Sequence, residues 1–302
     1  MLLTKLNCTE SRDQSRWSLV GLELGSLNLI AGKNSSGKTS AISRIILLSK
    51  SVLQQSAESP ISFEAEFEDQ DGLYQYKSSI NAGDVTEELF FDGAAVGAGA
   101  SPWAKLRAWA QDLKFMDFAA LDRSQASVWF AEGEKSNPGK MEGRVLRICE
   151  TIGLSFSKIG LDESGELYAV DHALQFAMPA LSQGAYRALA LAVRLASFPE
   201  ESPPSALLID DIGEGLDSDR SQGIARLLCG IDSFQVVMST NDRYIMNLIP
   251  LEHWQILTRH GGDCHAVNIK NSSELFEGFR YTGLANVDIL SSGFLDRQEG
   301  IL

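Results

Sequence analysis

The residues best able to do chemistry form one short stretch, Gly32-Lys33-Asn34-Ser35-Ser36-Gly37-Lys38-Thr39. Gly32 and Gly37 let the backbone curl until successive N–H groups point at one centre, which suits an anion. A helix opening at Lys38 adds the positive end of its dipole to that centre. The Lys38 ammonium then reaches the outer phosphates of a nucleoside triphosphate, and the Thr39 hydroxyl is placed to ligate Mg²⁺. Spacing and residue types are those of a P-loop. The nucleotide-binding residues expected are therefore Gly32, Asn34, Ser35, Ser36, Gly37, Lys38, Thr39 and Ser40, with ATP and Mg²⁺ as cofactors.

A second feature lies downstream. Ala206 to Ile209 is an apolar run that ends in Asp210 and Asp211. A buried strand there delivers Asp210 to the Mg²⁺ shell, so Thr39 and Asp210 are the expected metal ligands. Asp211 follows as general base or water-positioning group. About twenty-five positions earlier, Leu181-Ser182-Gln183-Gly184-Ala185-Tyr186-Arg187 puts a Ser and a Gly at a helix start, an N-terminus able to take an anion. The same residues also read as a plain Ser N-cap on an amphipathic helix through Leu189, Leu191 and Val193.

These residues need a scaffold. A P-loop requires a strand before it and a helix after it. Leu27 to Ala31 is a continuous apolar run, as in a strand buried on both faces. Residues 38–55 then predict a helix with Ile42, Ile45, Ile46 and Leu48 on its buried side. Residues 1–31 as a whole read as short strands. Between 61 and 92, ISFEAEFED and LYQYKSSI alternate apolar and polar residues around Asp69 to Gly72, a hairpin pattern, and Val85 to Phe91 adds a strand. Residues 101–128 read as helical, Glu132 to Gly139 as an exposed loop, and 140–153 and 183–197 as helices. Ser205 to Ile209 and Phe234 to Ser239 are further buried strands. The expected fold is α/β, a mixed core sheet flanked by helices with an antiparallel β subdomain, in a single domain over 1–302. The β subdomain falls at about 58–98, a helical part at about 101–200 and a C-terminal part at about 201–302.

Composition narrows the functions. A chain of 302 residues with 44% apolar and 22% charged residues can bury a sizeable core. A net charge of −14 argues against a protein that grips DNA through its own surface, which would need a basic excess, and leaves DNA only a possible ligand. Cys8, Cys149, Cys229 and Cys264 are scattered without a CxxC pair and read as free thiols of a reducing cytoplasm. The N-terminus turns polar within a few residues, and no apolar run reaches the ~18–20 residues of a membrane span, so a cytoplasmic protein with no membrane contact is expected. His260, Cys264 and His265 lie close together without a fourth ligand or a standard zinc spacing. Lys140, Arg144 and Arg147 share a helical face that reads as solvated. Phe276, Phe279, Tyr281, Leu284 and Leu290 suit either core packing or partner docking.

Taken together, GKNSSGKTS, LSQGAYR, LLIDD and Gly215-Leu216-Asp217 resemble the ABC-type ATPases. The likeness is to the SMC/RecF-like heads and the related AAA-family ATPases of OLD-type and anti-phage defence systems, in order and spacing over nearly the whole chain. On that resemblance LSQGAYR is the signature, LLIDD is Walker B and Gly215 to Asp217 is the D-loop. Val236 to Asn241 leads to the switch position, which makes Asn241 catalytic beside Lys38 and Asp211. The family implies a homodimer that closes around ATP, with Ser182 and Gly184 meeting the γ-phosphate in trans, and reopens on hydrolysis. It implies a switch controlling a separate effector or DNA-processing partner, in phage defence or DNA repair. A RecF-like ATPase that binds DNA directly and a weakly hydrolysing ATP-binding scaffold are the alternatives.

The chain departs from that pattern in three places. Gln183 stands where transporter subunits have Gly. Asp211 is one methylene shorter than the usual Glu, with Glu214 the substitute carboxylate. Asn241 replaces a His and can donate a hydrogen bond but cannot titrate. Slow turnover is expected, because base positioning is worth ~10²–10⁴ in rate. Gln125 is one candidate for the Q-loop glutamine, and Arg123 resembles an arginine that often follows the β subdomain. Trp17 suits either an adenine stack or a rim position. About 140 residues between P-loop and signature leave no coiled-coil arm, and about 60 after Thr240 are too few for a Toprim nuclease domain.

Overall fold

The computed structural model describes residues 1–12, 15–55, 59–81, 84–292 and 294–295. Two long strands, β1 (Leu2–Arg12) and β2 (Ser15–Glu23), precede the short apolar β3 (Leu27–Ala31). Helix α1 (Lys38–Val52) follows, and then three antiparallel strands, β4 (Ile61–Asp69), β5 (Gly72–Asn81) and β6 (Asp84–Phe91). A two-residue strand, β7 (Ala94–Ala95), leads to α2 (Ser101–Asp112), β8 (Leu113–Asp117), α3 (Gln125–Ser136) and α4 (Met141–Thr151). A small sheet of β9 (Lys158–Leu161), β10 (Leu167–Asp171) and β11 (Leu174–Ala177) precedes α5 (Gln183–Ser197). The chain closes with β12 (Ala206–Asp210), α6 (Ser218–Cys229), β13 (Gln235–Ser239), α7 (Arg243–Leu248), β14 (Trp254–His260), β15 (Asp263–Val267), α8 (Ser273–Arg280) and α9 (Asp288–Ser291).

Twelve strands form one mixed sheet in the order β7-β6-β5-β4-β1-β2-β15-β14-β3-β13-β12-β8. The run β14-β3-β13-β12-β8 is parallel, and β2 through β7 are antiparallel neighbours. The antiparallel strands are thus continuous with the core sheet through β15 rather than a separate layer. Period-2 alternation explains the two cores this sheet divides. Leu29, Leu207, Met238 and Ile256 face the core under α3 to α8, whereas Ile30, Leu208, Val237 and Leu257 face the core under α1 and α2. The central strands are buried on both faces, which is why they read as unbroken apolar runs. Buried Gln235 fastens the hairpins to the parallel strands. Its amide donates to Leu3 O and Gly25 O at 2.8 Å each, and its Oε1 accepts from Leu3 N at 3.2 Å.

Four expectations need correction. Residues 101–128 are not one helix: α2 stops at Asp112 and residues 113–117 form β8, the edge strand paired to β12. Glu132 to Ser136 is the last part of α3, not a loop, and buried Gly133 lets that helix lie against α4 and α5. A Cβ there would sit 2.4 Å from the Met141 sulfur and 2.9 Å from Ser197 Cα. The first two strands are long, not short. The sheet β9–β11 lies inside the part expected to be helical. The C-terminal aromatics divide: Phe276 and Phe279 are buried, Leu290 is half-buried against the same core, and Tyr281 and Leu284 are exposed. Arg144 is held by Phe198 O and Glu200, so it is not a free member of a basic face. Among the described residues no helix is long and apolar enough to cross a membrane.

Candidate functional site

The turn from β3 into α1 is tightly curled. Gly32 has φ 156°, and a Cβ there would meet Ser36 Oγ at 2.4 Å and the Leu257 carbonyl oxygen of β14 at 2.8 Å. Gly37 caps α1 in the left-handed region, at φ 104°, and brings no side chain to the first-turn N–H groups. Those donors stay available to an anion. Ser36 is buried, and its Oγ has no hydrogen-bond partner among the described residues. The Ser36 carbonyl accepts from the buried Cys264 thiol of β15 at 3.3 Å. Burial pushes that thiol up to about 11, so it supports the loop as a neutral group. Asn34, Ser35 and Thr39 are exposed and Ser40 is half-buried.

Lys38 is only 7% exposed. Its ammonium donates to Gly32 O at 3.1 Å and Lys33 O at 3.4 Å. Burial lowers its pKa, and the charges of Asp211 and Asp210 work in the opposite direction. The lysine therefore faces the acidic end of β12.

That end is fixed by β13, which lies between β3 and β12. The Ser239 hydroxyl donates to Asp210 Oδ1 and accepts from Asp211 N at 2.9 Å. Ile212 N donates to Ser239 O at 2.9 Å. Asp210 is buried at 4% exposure. Asp211 takes φ 50°, a left-handed conformation that costs a non-glycine residue about 1 kcal/mol or more and turns the chain off the sheet. Burial raises the Asp211 pKa above the ordinary carboxylate value. Asp210, Asp117 and Glu214 add to the rise, and Lys38 opposes it. Asn241 is exposed just beyond β13, while Thr240 and Asp242 anchor that loop. Thr240 bonds Ile212 O, and Asp242 caps α7 and accepts from Ser221 Oγ at 2.8 Å.

Ser182 is the N-cap of α5, accepting from Ala185 N at 3.2 Å. Gly184 packs under the loop after Asp211, where a Cβ would lie 2.5 Å from Gly215 O. Gly184 thus sits against Gly215 and Leu216, and Ser182 is exposed at the head of α5. Arg187, 5% exposed, donates to Glu214 O at 2.6 Å and to Ala119 O, tying α5, the loop after β12 and the loop after β8. Arg123 donates to Met178 O at 2.7 Å and lies 5.5 Å from the Tyr186 ring centre, which holds the segment entering α5. Gln125 is an exposed residue at the start of α3. Trp17 is half-buried beside Gly37, and the Arg44 guanidinium covers its ring at 4.5 Å. Cys264 faces inward and its neighbour His265 outward, so that pair shares no site; among the described residues no three metal-ligating side chains converge.

Asp117 escaped the sequence reading, and Arg187, quoted in LSQGAYR, was given no role of its own. Asp117 had a signal: LKFMD ends in a carboxylate just as LLID does. A cleft of about 470 Å³ opens beside the P-loop, between residues 32–36, β14 and the C-terminal Leu290 and Leu295. A cleft of similar size on the outer face of β1, β4 and β5 has no phosphate-binding turn.

No protein-family model matches the chain, and no curated protein matches it. Solved structures do. An SMC head bound to the C-winged helix domain of ScpA aligns with TM-score 0.63 at 14% identity, over 91% of this chain and 100% of that one. The SMC head domain from Thermotoga maritima aligns with TM-score 0.55 at 14% identity, over 89% and 99%. An Smc head with an extended coiled coil, bound to the C-terminal domain of ScpA and derived from Pyrococcus furiosus, gives 0.59 at 12% identity, over 92% and 99%. At such identities the likeness is one of fold, and the fold of this chain is similar to that of SMC head domains.

Proposed function

We propose that this chain is an ATP-binding and ATP-hydrolysing switch that dimerises around nucleotide and controls a separate partner protein. One observation carries the reading. A buried lysine in a P-loop turn faces two carboxylates at the end of β12, two strands from β3 in the parallel sheet, in the fold of an SMC head domain. Gly32, Ser36, Gly37 and the first turn of α1 would cradle the phosphates, Lys38 would neutralise the outer ones, and Thr39 with Asp210 would hold Mg²⁺. That ion, when bound, offsets charge on the phosphate oxygens. Asp211 would accept the proton of the attacking water, and Asn241 would donate a hydrogen bond across from it. Ser182 is exposed and Gly184 packs on the loop after Asp211, which suits a role for this segment on the nucleotide of a second copy. A protein partner is in keeping with SMC heads found bound to domains of ScpA. The family of the partner, and a role in phage defence or DNA repair, stay at the level of the resemblance.

The deciding measurement is solution mass with and without Mg-ATP for wild type, Lys38→Ala and Asp211→Ala. We expect dimer formation with ATP, persistence of the dimer in Asp211→Ala and none in Lys38→Ala. ATP binding with no change of mass would refute the sandwich. A second reading, an ATP-binding scaffold with little turnover, draws support from the short, strained Asp211 and from Asn241; phosphate release close to the uncatalysed rate would favour it.

A further inference from the structure

The edge strand β8 runs parallel to β12 with Asp117 in register with Asp210. In-register residues of parallel neighbours share a face of the sheet, and adjacent strands lie about 4.8 Å apart. On β8, Leu113 packs into the core beneath α1 and α2 and Met116 into the opposite core. Period-2 alternation from Leu113 then puts Asp117 on the α1 face, the side of Lys38. Lys38 lies on that side too, its ammonium bonded to the loop carbonyls of Gly32 and Lys33. Lys38 is more than nine-tenths buried, yet among the described residues no carboxylate lies within 4.0 Å of its ammonium. Asp210 and Asp211 act on it across a gap. The chain holds no ready-made nest of three metal-ligating side chains, so a cation in that gap would need phosphate oxygens as well.

We propose that Asp117 is a second carboxylate on the divalent-cation side of the nucleotide site, holding the water shell of the ion beside Asp210. The proposal rests on the P-loop reading above. Mg²⁺ keeps several of its waters and is bound by few carboxylates together with substrate phosphates, which suits a contact made through water. The charge of Asp117 also reaches Asp211, so it bears on the same space. The competing role for Asp117 is purely local. Its Oδ1 accepts from Ala120 N at 2.9 Å and shapes the turn after β8.

Asp117→Asn separates the two roles, because the amide oxygen can still accept from Ala120 N while the charge is gone. The assay is calorimetric titration of ATP into the full chain, in EDTA and then over a series of MgCl2 concentrations, with MgCl2 alone as control. Groups that orient a bound metal typically contribute 10–100-fold in affinity. We expect Asp117→Asn to bind ATP in EDTA at least as well as wild type and to need about tenfold more Mg²⁺ for the magnesium-dependent gain. Asp117→Ala should show the same magnesium defect with a lower melting temperature in addition. An Asp117→Asn magnesium titration that overlays wild type overturns the proposal and leaves the ATPase reading standing. Weaker binding of ATP in EDTA by Asp117→Asn also overturns it, since the turn is then the cause. Failure of wild type to bind ATP with or without Mg²⁺ overturns both.

Discussion

Gly184 gives a sharp test of how the segment before α5 meets the loop after β12. An added Cβ would stand 2.5 Å from Gly215 O, where ordinary contact begins at 3.4 Å, so the two segments must part by about 0.9 Å. Neither side yields easily. Gly215 sits at φ 77° with the Arg187 guanidinium against it, and Arg187 is itself bonded to Glu214 O. Overpacking of this kind costs about 1–3 kcal/mol. The better helix propensity of Ala returns up to about 1 kcal/mol, less so close to the helix start. The expected net loss is about 1–2 kcal/mol. At about 2–4 °C per kcal/mol for a domain approaching this size, Gly184→Ala should melt roughly 2–8 °C below wild type. Gly143 is the control: it is exposed in the first turn of α4, nothing lies within 4 Å of its Cβ position, and Gly143→Ala should melt at or above wild type. Differential scanning fluorimetry of the three proteins reads both signs. A Gly184→Ala protein as stable as Gly143→Ala would refute the contact. Gly184→Ala should also lose the mass change that Mg-ATP produces in wild type.

Further outcomes follow from Asp211 and Arg187. Because burial and Asp210 raise the Asp211 pKa, its ionised form is lost at a higher pH than for an ordinary carboxylate near 3.9. The ATPase rate should therefore fall on acidification through a value above ~3.9, and Asp211→Asn should lower turnover by ~10²–10⁴. The sign for stability is the reverse: a carboxylate with a raised folded pKa destabilises the fold once ionised, so Asp211→Asn should raise the melting temperature at pH 7. Brisk wild-type turnover would contradict the expectation of slow hydrolysis, and an acid limb at or below ~3.9 would contradict the Asp211 assignment. Arg187→Ala strands two backbone carbonyls in a buried place and should cost about 2–4 kcal/mol in urea unfolding. Arg187→Lys should recover only part of that, because lysine lacks the planar fork, and full recovery would sink the fork explanation.

The chain-local parts of the site were legible in the sequence. A P-loop is eight consecutive residues, and its flanking strand and helix announce themselves by runs and periodicity. The acidic end of β12 and the Ser182 cap are likewise continuous stretches. Where the reading failed, pairing partners far along the chain decided the outcome. Trp103, Leu106, Trp109, Ala110 and Leu113 follow helical spacing without a break, so β8 looked like the continuation of α2. Only β12, some ninety residues later, draws residues 113–117 into the sheet, and Asp117 was lost with them. Gly133 hid in the same way: EGEKS is polar enough for a loop, and the closeness of α4 and α5 that keeps it helical cannot be read from the segment. Arg187 left a faint mark, a lone cation at the head of the otherwise apolar stretch Ala188 to Val193. Its carbonyl partners come from two other segments.

The unbroken sheet also makes the molecule a mechanical lever. Seven strand-to-strand steps lead from the P-loop strand to the outer hairpin, along β3-β14-β15-β2-β1-β4-β5-β6. Each step carries a right-handed twist of about 20–25°. A change of only one degree per step would swing β6 by about seven degrees relative to β3. Across half the length of a ten-residue strand such as β5, near 16 Å at about 3.3 Å per residue, that rotation moves a strand end by about 2 Å. Ladder hydrogen bonds, not a flexible linker, would carry the displacement. A partner gripping the hairpins could then sense what happens at Gly32 to Thr39 without approaching the nucleotide.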